Sequence, residues 1–218
     1  MTSVASLASL FLRVQPRPQR VKRLSASLAR GVGTEITTSV LSRDIELSRD
    51  TIREYLDSLE RIFVMQNQAA WRPHLRSRVP LREIPKRHLA DPSLTLAALH
   101  TDADGLLGDL EFFGQVFESQ VVHDLRFMSR QEAYHGRGAD GLEVDTVLEI
   151  AGRVVLAEVK LGSSEATIET AVTHLKTFAK RYVDGSHVAP VLLVVTEGSL
   201  SYTRDDGVHV VSCGNLGA

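Results

Sequence analysis

The sequence predicts an α/β chain, of the α+β kind, with a helix-rich front unit and an α-β-β-β-α-β rear unit. Three observations carry this. Apolar residues recur at helical spacing up to about residue 63, whereas from residue 131 the period shortens to that of strands, with one further helix at Ala166–Tyr182. The 218 residues suffice for one large domain or two small ones. The charge also splits along the chain. Residues 1–34 hold Arg13, Arg17, Arg20, Lys22, Arg23 and Arg30 and no acid, and residues 72–88 hold six basic residues against Glu83 alone. Residues 101–118 hold five acids and no Lys or Arg. A net charge of −2 is therefore a cancellation, and the asymmetry suggests units with different partners.

Composition removes several classes. Hydrophobic residues at 43% and charged residues at 24% are ordinary for a globular chain, which argues against disorder. No stretch of about 18 apolar residues exists, so no membrane helix and no membrane partner are expected. Cys213 is the only cysteine, which excludes an internal disulfide and a cysteine zinc cluster. No basic residue precedes the apolar run Val4–Leu12, which is wrong for a secretory signal, and a cytoplasmic protein is expected.

Residues 1–22 read as a linker or remnant ending in Pro16 and Pro18. Lys22–Arg30 can form a helix closed by Gly31 and Gly33. Thr37 or Thr38 can cap a short helix carrying Val40, Leu41 and Ile45. After a turn at Glu46–Leu47, Ser48 can cap a second helix with Asp50 in its first turn. That helix places Ile52, Tyr55, Leu56, Leu59, Ile62 and Phe63 on one face and Arg49 and Arg53 on the exposed side. Phe63–Met65 reads as a strand, Trp71–Pro85 as a basic wing with Arg76 and Arg78, and His88–Leu89 as a return strand. Together these predict a winged helix-turn-helix over 23–105. Its functional reading is DNA contact through Arg49, Arg53, Arg76 and Arg78, although such modules also mediate protein contacts.

Asp91–Pro92 starts a helix, and the polar stretch Thr101–Gly108 contains the predicted boundary. The rear unit, 106–218, starts with a helix over Leu110–Phe127. Strands follow at Gln131–His135, Glu143–Ile150 and Arg153–Lys160, with a Gly-rich loop at Gly136–Gly141. The helix Ala166–Tyr182 precedes a buried strand Pro190–Thr196 and an edge strand Val208–Ser212.

The turn Ala151–Gly152 fixes a register. Pairing Ile150 with Arg153 puts Val147 opposite Leu156, Asp145 opposite Glu158 and Glu143 opposite Lys160, all on one face. Two carboxylates about 5 Å apart repel by about 3 kcal/mol at an effective dielectric of 20. Lys160 can offset part of this, and a magnesium or manganese ion between Asp145 and Glu158 would offset more. Such an ion assists phosphoryl chemistry, with Lys160 stabilising developing charge. A cross-strand salt-bridge cluster satisfies the same pattern.

The D145-x12-E158-V-K160 pattern within α-β-β-β-α-β resembles the PD-(D/E)XK nuclease superfamily. The stretches "SRDTIREYLDSLERIFVM", "IPKRHLADPSL", "GQVFESQVVHDL" and "GLEVDTVLEIAGRVVLAEVKLGSS" resemble the C-terminal region of predicted bacterial and archaeal AAA+-type ATPases, a DUF4143-like region. The resemblance implies a mixed central sheet, Asp145, Glu158 and Lys160 at the nuclease-like positions, and Glu118 as a further metal ligand. It places Arg137 in the loop before the Asp-bearing strand, able to contact phosphate. Two features depart from the pattern. No G-x-x-x-x-G-K-[ST] phosphate loop is present, so the chain is not expected to be an ATPase by itself, and an ATPase would come from a separate chain. His174 and Phe178 stand where some of these nucleases carry Gln-x3-Tyr. The expected function is a DNA-associated protein with a nuclease-like domain, hydrolysing phosphodiesters with metal. The alternative is a non-catalytic DNA-binding or regulatory module that partners an ATPase.

Overall fold

The structure is a computed structural model and describes residues 17–72, 84–138, 140–183 and 188–217. By packing, the chain divides into two compact units. The first comprises residues 1–67 and 84–119, the second 68–83 and 120–218. The sequence predicts a single boundary, at 105/106.

In the first unit, α1 (Pro18–Arg30) begins on a proline, whose missing N–H costs nothing in a first turn. Helix α2 (Thr38–Ile45) is capped by Thr37, whose side chain accepts the Val40 N–H, and α3 (Arg49–Arg61) by Ser48, which accepts from Thr51. Between them Glu46 takes a left-handed φ of 57°, which turns the chain sharply. Leu24, Leu28, Leu41, Ile45, Ile52, Tyr55, Leu56 and Leu59 form one core with Met65 and Leu89. The helical pattern had extended to Phe63. Instead α3 stops at Arg61, and Phe63 has a φ of 56° and is 79% exposed. Strand β1 (Met65–Gln68) therefore starts two residues later than expected, and it pairs with β2 (Lys86–Leu89) in a two-stranded sheet. Asp91 caps α4 (Pro92–Leu99) through the Ser93 N–H. The stretch expected to be irregular holds the short helix α5 (Ala103–Leu107), capped by Asp102 and anchored by Leu106 against Val32 and Val116.

Helix α6 (Leu110–Ser129) spans the division at 119/120. The second unit carries β3 (Tyr134–Arg137), β4 (Glu143–Ile150), β5 (Arg153–Lys160), α7 (Glu165–Phe178), β6 (Val191–Thr196), β7 (Tyr202–Thr203) and β8 (His209–Ser212). Its sheet is mixed, in the order β3-β4-β5-β6-β8-β7. Strands β5, β6 and β8 are parallel neighbours, and the other pairs are antiparallel. The core packs α7 residues Ile168, Leu175 and Phe178 against Val144, Val147, Leu156 and Val194, with Trp71 among them. One turn of π-helix, Ala179–Val183, extends α7.

In the second unit, two strand assignments differ from the sequence expectation. Strand β3 lies at Tyr134–Arg137 rather than Gln131–His135, so Gly136 and Arg137 are strand rather than loop. Gly136 is needed there, because a Cβ would come within 2.5 Å of both Phe178 Cζ and Val144 Cγ1. The two-residue β7 has too short a pattern for periodicity to show. It is held by pairing with β8 and by Arg204, which reaches Asp206 and Glu169 of α7.

Candidate functional site

The site is built at the end of the β4–β5 pair away from its turn. Ile150 pairs Arg153 and Val147 pairs Leu156, as the turn dictates. The ladder then ends at Thr146–Ala157 instead of continuing to Glu143–Lys160. A bulge is the reason. Two steps along β3, Tyr134 to Gly136, match three along β4, Val147 to Val144. Strand β4 thus carries an extra residue at Asp145–Thr146, which bends the strand and re-aims a side chain.

Asp145 is changed by it in two ways. Its carboxylate Oδ2 accepts the Val159 N–H at 2.8 Å, filling a β5 position that a ladder carbonyl would otherwise serve. Its main-chain carbonyl accepts from Gln68 Nε2 at 2.9 Å, and the same nitrogen donates to Tyr134 O at 3.2 Å. Gln68 is 1% exposed and plugs the bulge. Beside it the chain runs along β3, with His135 N donating to Ala69 O and Trp71 N to His135 O. Trp71 Nε1 donates to Glu149 Oε1 at 2.9 Å. Gln68 is the site residue that sequence reasoning missed, since its partners lie 66 and 77 residues away.

Lys160 joins the two carboxylates. Its Nζ lies 2.7 Å from Glu158 Oε2 and 3.9 Å from Asp145 Oδ2. The Glu158 side chain is 4% exposed, that of Asp145 15% and that of Lys160 30%, so the group opens from a buried acid to a half-exposed cation. Between themselves these three side chains carry two negative charges and one positive. Hard carboxylate oxygens that already hold one ammonium suit a small hard cation, which binds through one or two carboxylates and keeps waters. Among the described residues, no group of three or more His, Cys, Asp or Glu is placed to hold a metal.

The other predicted residues are distributed as follows. Glu143 faces Arg137 in the β3–β4 register and forms an ion pair with it at 2.8 Å, rather than pairing Lys160. Glu118 lies in the first unit, where Lys86 Nζ is 2.6 Å from its Oε1. The metal role that the resemblance implies would draw it away from that ion pair. His174 is exposed on α7, and Phe178, one turn on, is core. Arg49 and Arg53 are exposed on α3, with Arg53 Nη1 on Asp50 at 2.6 Å. Arg76 and Arg78 lie outside the described residues.

Comparisons with known proteins match two families to successive parts of the chain. Residues 113–216 match the family described as "Domain of unknown function (DUF4143)", and residues 9–105 match "Domain of unknown function (DUF8612)". Uncharacterised proteins of Mycobacterium bovis and Mycobacterium tuberculosis are each 26% identical to this chain over 159 residues. The match covers 72% of this chain and 35% of theirs, so the chain spans about a third of the length of these curated relatives. The crystal structure of a protein from Vibrio cholerae matches over 98% of this chain and 54% of that chain, at 13% identity and a TM-score of 0.31. No described helix is long and apolar enough to cross a membrane.

Proposed function

We propose that this is a DNA-associated protein with a winged helix-turn-helix over 23–105 and a PD-(D/E)XK-like domain over 106–218 that hydrolyses phosphodiester bonds. The observation that supports it is the convergence of Asp145, Glu158 and Lys160 at a bulged strand end, with two carboxylates sharing one ammonium. Asp145 and Glu158 would hold magnesium or manganese, which supplies a Lewis acid for a phosphoryl oxygen and a more acidic water. Lys160 stabilises negative charge developing on the phosphate. The Val159 N–H fixes the Asp145 carboxylate, and Gln68 fixes the strand that carries it. Arg49 and Arg53, on the exposed side of a capped helix, supply phosphate contacts.

The test is cleavage of linear, supercoiled and branched DNA with and without manganese. Manganese-dependent cleavage is expected, falling roughly 100-fold or more in Asp145→Ala, the scale seen when one stabilising group is removed. No cleavage, or equal cleavage by the variant, overturns the catalytic reading.

A second reading is a non-catalytic DNA-binding or regulatory module serving an ATPase on a separate chain. It is favoured by His174 and Phe178, the first exposed and the second in the core, standing where some of these nucleases carry Gln-x3-Tyr. Magnesium calorimetry separates the two. Binding that disappears in Glu158→Gln supports the first, whereas salt-sensitive DNA binding without any metal binding supports the second.

A further inference from the structure

We propose that the first unit binds a small amphiphilic anion, a free carboxylate on an apolar body, in the groove between α1 and α4. The groove has a volume of about 470 Å³ and lies wholly within the first unit. Cavities of roughly 300–1,000 Å³ are the size that accepts small organic ligands. Val21, Val64, Leu89 and Leu94 form its apolar floor. Ser25 and Ala26 of α1 face Ala97 and Ala98 of α4, and these short side chains leave the space open.

The rim has a different chemistry from the floor. Lys22, Arg23, Arg30 and His100 line it, and none of its described lining residues is acidic. Lys22, Arg23 and Arg30 come from one helix that has no acid anywhere along its length. Long basic side chains lay their stems on apolar surface and keep their heads in water. A ligand that uses both parts therefore has an apolar body for the floor and a single anionic head for the rim. Inorganic anions and nucleic-acid phosphate lack the first, and neutral lipids lack the second.

The test uses the full chain with decanoate, acetate and 1-decanol, followed by calorimetry and thermal melting. Decanoate is expected to bind one-to-one and to raise the melting temperature. Acetate and decanol are expected to bind at least about tenfold more weakly, the scale of one charge-assisted contact. Arg23→Ser combined with Arg30→Ser changes two exposed side chains, so its ligand-free melt stays at the wild-type temperature while decanoate weakens about fivefold or more. Ala98→Phe fills the groove and removes decanoate binding. Decanol or acetate binding as tightly as decanoate overturns the proposal. So does decanoate binding that neither variant changes, or no saturable decanoate binding at all. Decanoate that binds only when embedded in a phospholipid vesicle also overturns it, by making the site a membrane contact.

Discussion

Each unit holds a shielded lysine–glutamate pair, and the two pairs are not alike. In the first unit, Lys86 and Glu118 meet at 2.6 Å with side chains 10% and 18% exposed. Beside them His88 and Ser119 share a buried hydrogen bond at 3.0 Å. In the second, Lys160 and Glu158 meet at 2.7 Å, but Asp145 stands 3.9 Å from the same ammonium. The Lys160 ammonium thus lies within reach of two carboxylates. The first pair ties β2 to α6. The second gathers two carboxylates around one ammonium at a strand end that is partly open, an arrangement a binding site can use.

The largest effect expected from this contrast is on stability. Glu118→Ala removes the carboxylate that the shielded Lys86 ammonium meets at 2.6 Å and should cost about 3 kcal/mol, read by urea denaturation. Magnesium affinity should stay at the wild-type value, and its loss would move Glu118 into the metal site and break the comparison. Gln68→Ala comes next. It strips the donor from two main-chain carbonyls at the bulge and should destabilise by about 1–3 kcal/mol. Magnesium affinity should fall with it, since the same bond holds the Asp145 strand, whereas unchanged affinity would make Gln68 a packing residue only. Magnesium at about 100 times its dissociation constant should stabilise the wild type by about 2.7 kcal/mol and Glu158→Gln by none, read by thermal melting.

The smallest effect concerns an exposed network that lies apart from both pairs. Hydrogen bonds from Arg204, and then from Lys176, hold the Asp206 carboxyl well below its ordinary value. The folded state therefore favours the charged form, and this contribution is present above about pH 4 and fades as pH falls further. Asp206→Asn should flatten the acid limb of a stability–pH profile slightly, the effect being weak because the groups are solvated. A profile identical to the wild type would leave the β7–β8 hairpin held by pairing and by the Arg204–Glu169 contact, without Asp206.

Much of the frame was readable in the residues. Strands β4 and β5 fall on the residues expected, because strong alternation and a Gly-containing turn fix both ends. Ser48 caps the helix it is expected to cap, and Thr37, one of two adjacent candidates, caps the other, since capping is a local rule. The trio of Asp145, Glu158 and Lys160 does come together, but not in a direct ladder. Nothing in the sequence around Asp145 announces a bulge, and the Gln68 amide that fills it arrives from a distant part of the chain. Helix α5 was hidden for another reason, since Asp104 and Gly105 within its five residues, and Asp102 just before them, give the composition of a loop. Arg137 moved from loop to strand because Gly136 serves close packing against Phe178, which the glycine by itself does not reveal.

The path of the chain between the units has a consequence for how the protein is made. The polypeptide crosses from one unit to the other at 67/68, 83/84 and 119/120, so no single cut separates them. On a ribosome, Gln68 emerges 77 residues before the Asp145 carbonyl it will bond. At about 5–20 residues per second, that is a wait of roughly 4–15 s. Trp71 waits longer for Phe178, with its indole uncovered meanwhile. The nascent chain thus carries an unfilled wedge whose socket has yet to be synthesised, and a pause in translation between residues 72 and 178 prolongs its exposure to chaperones and to other chains.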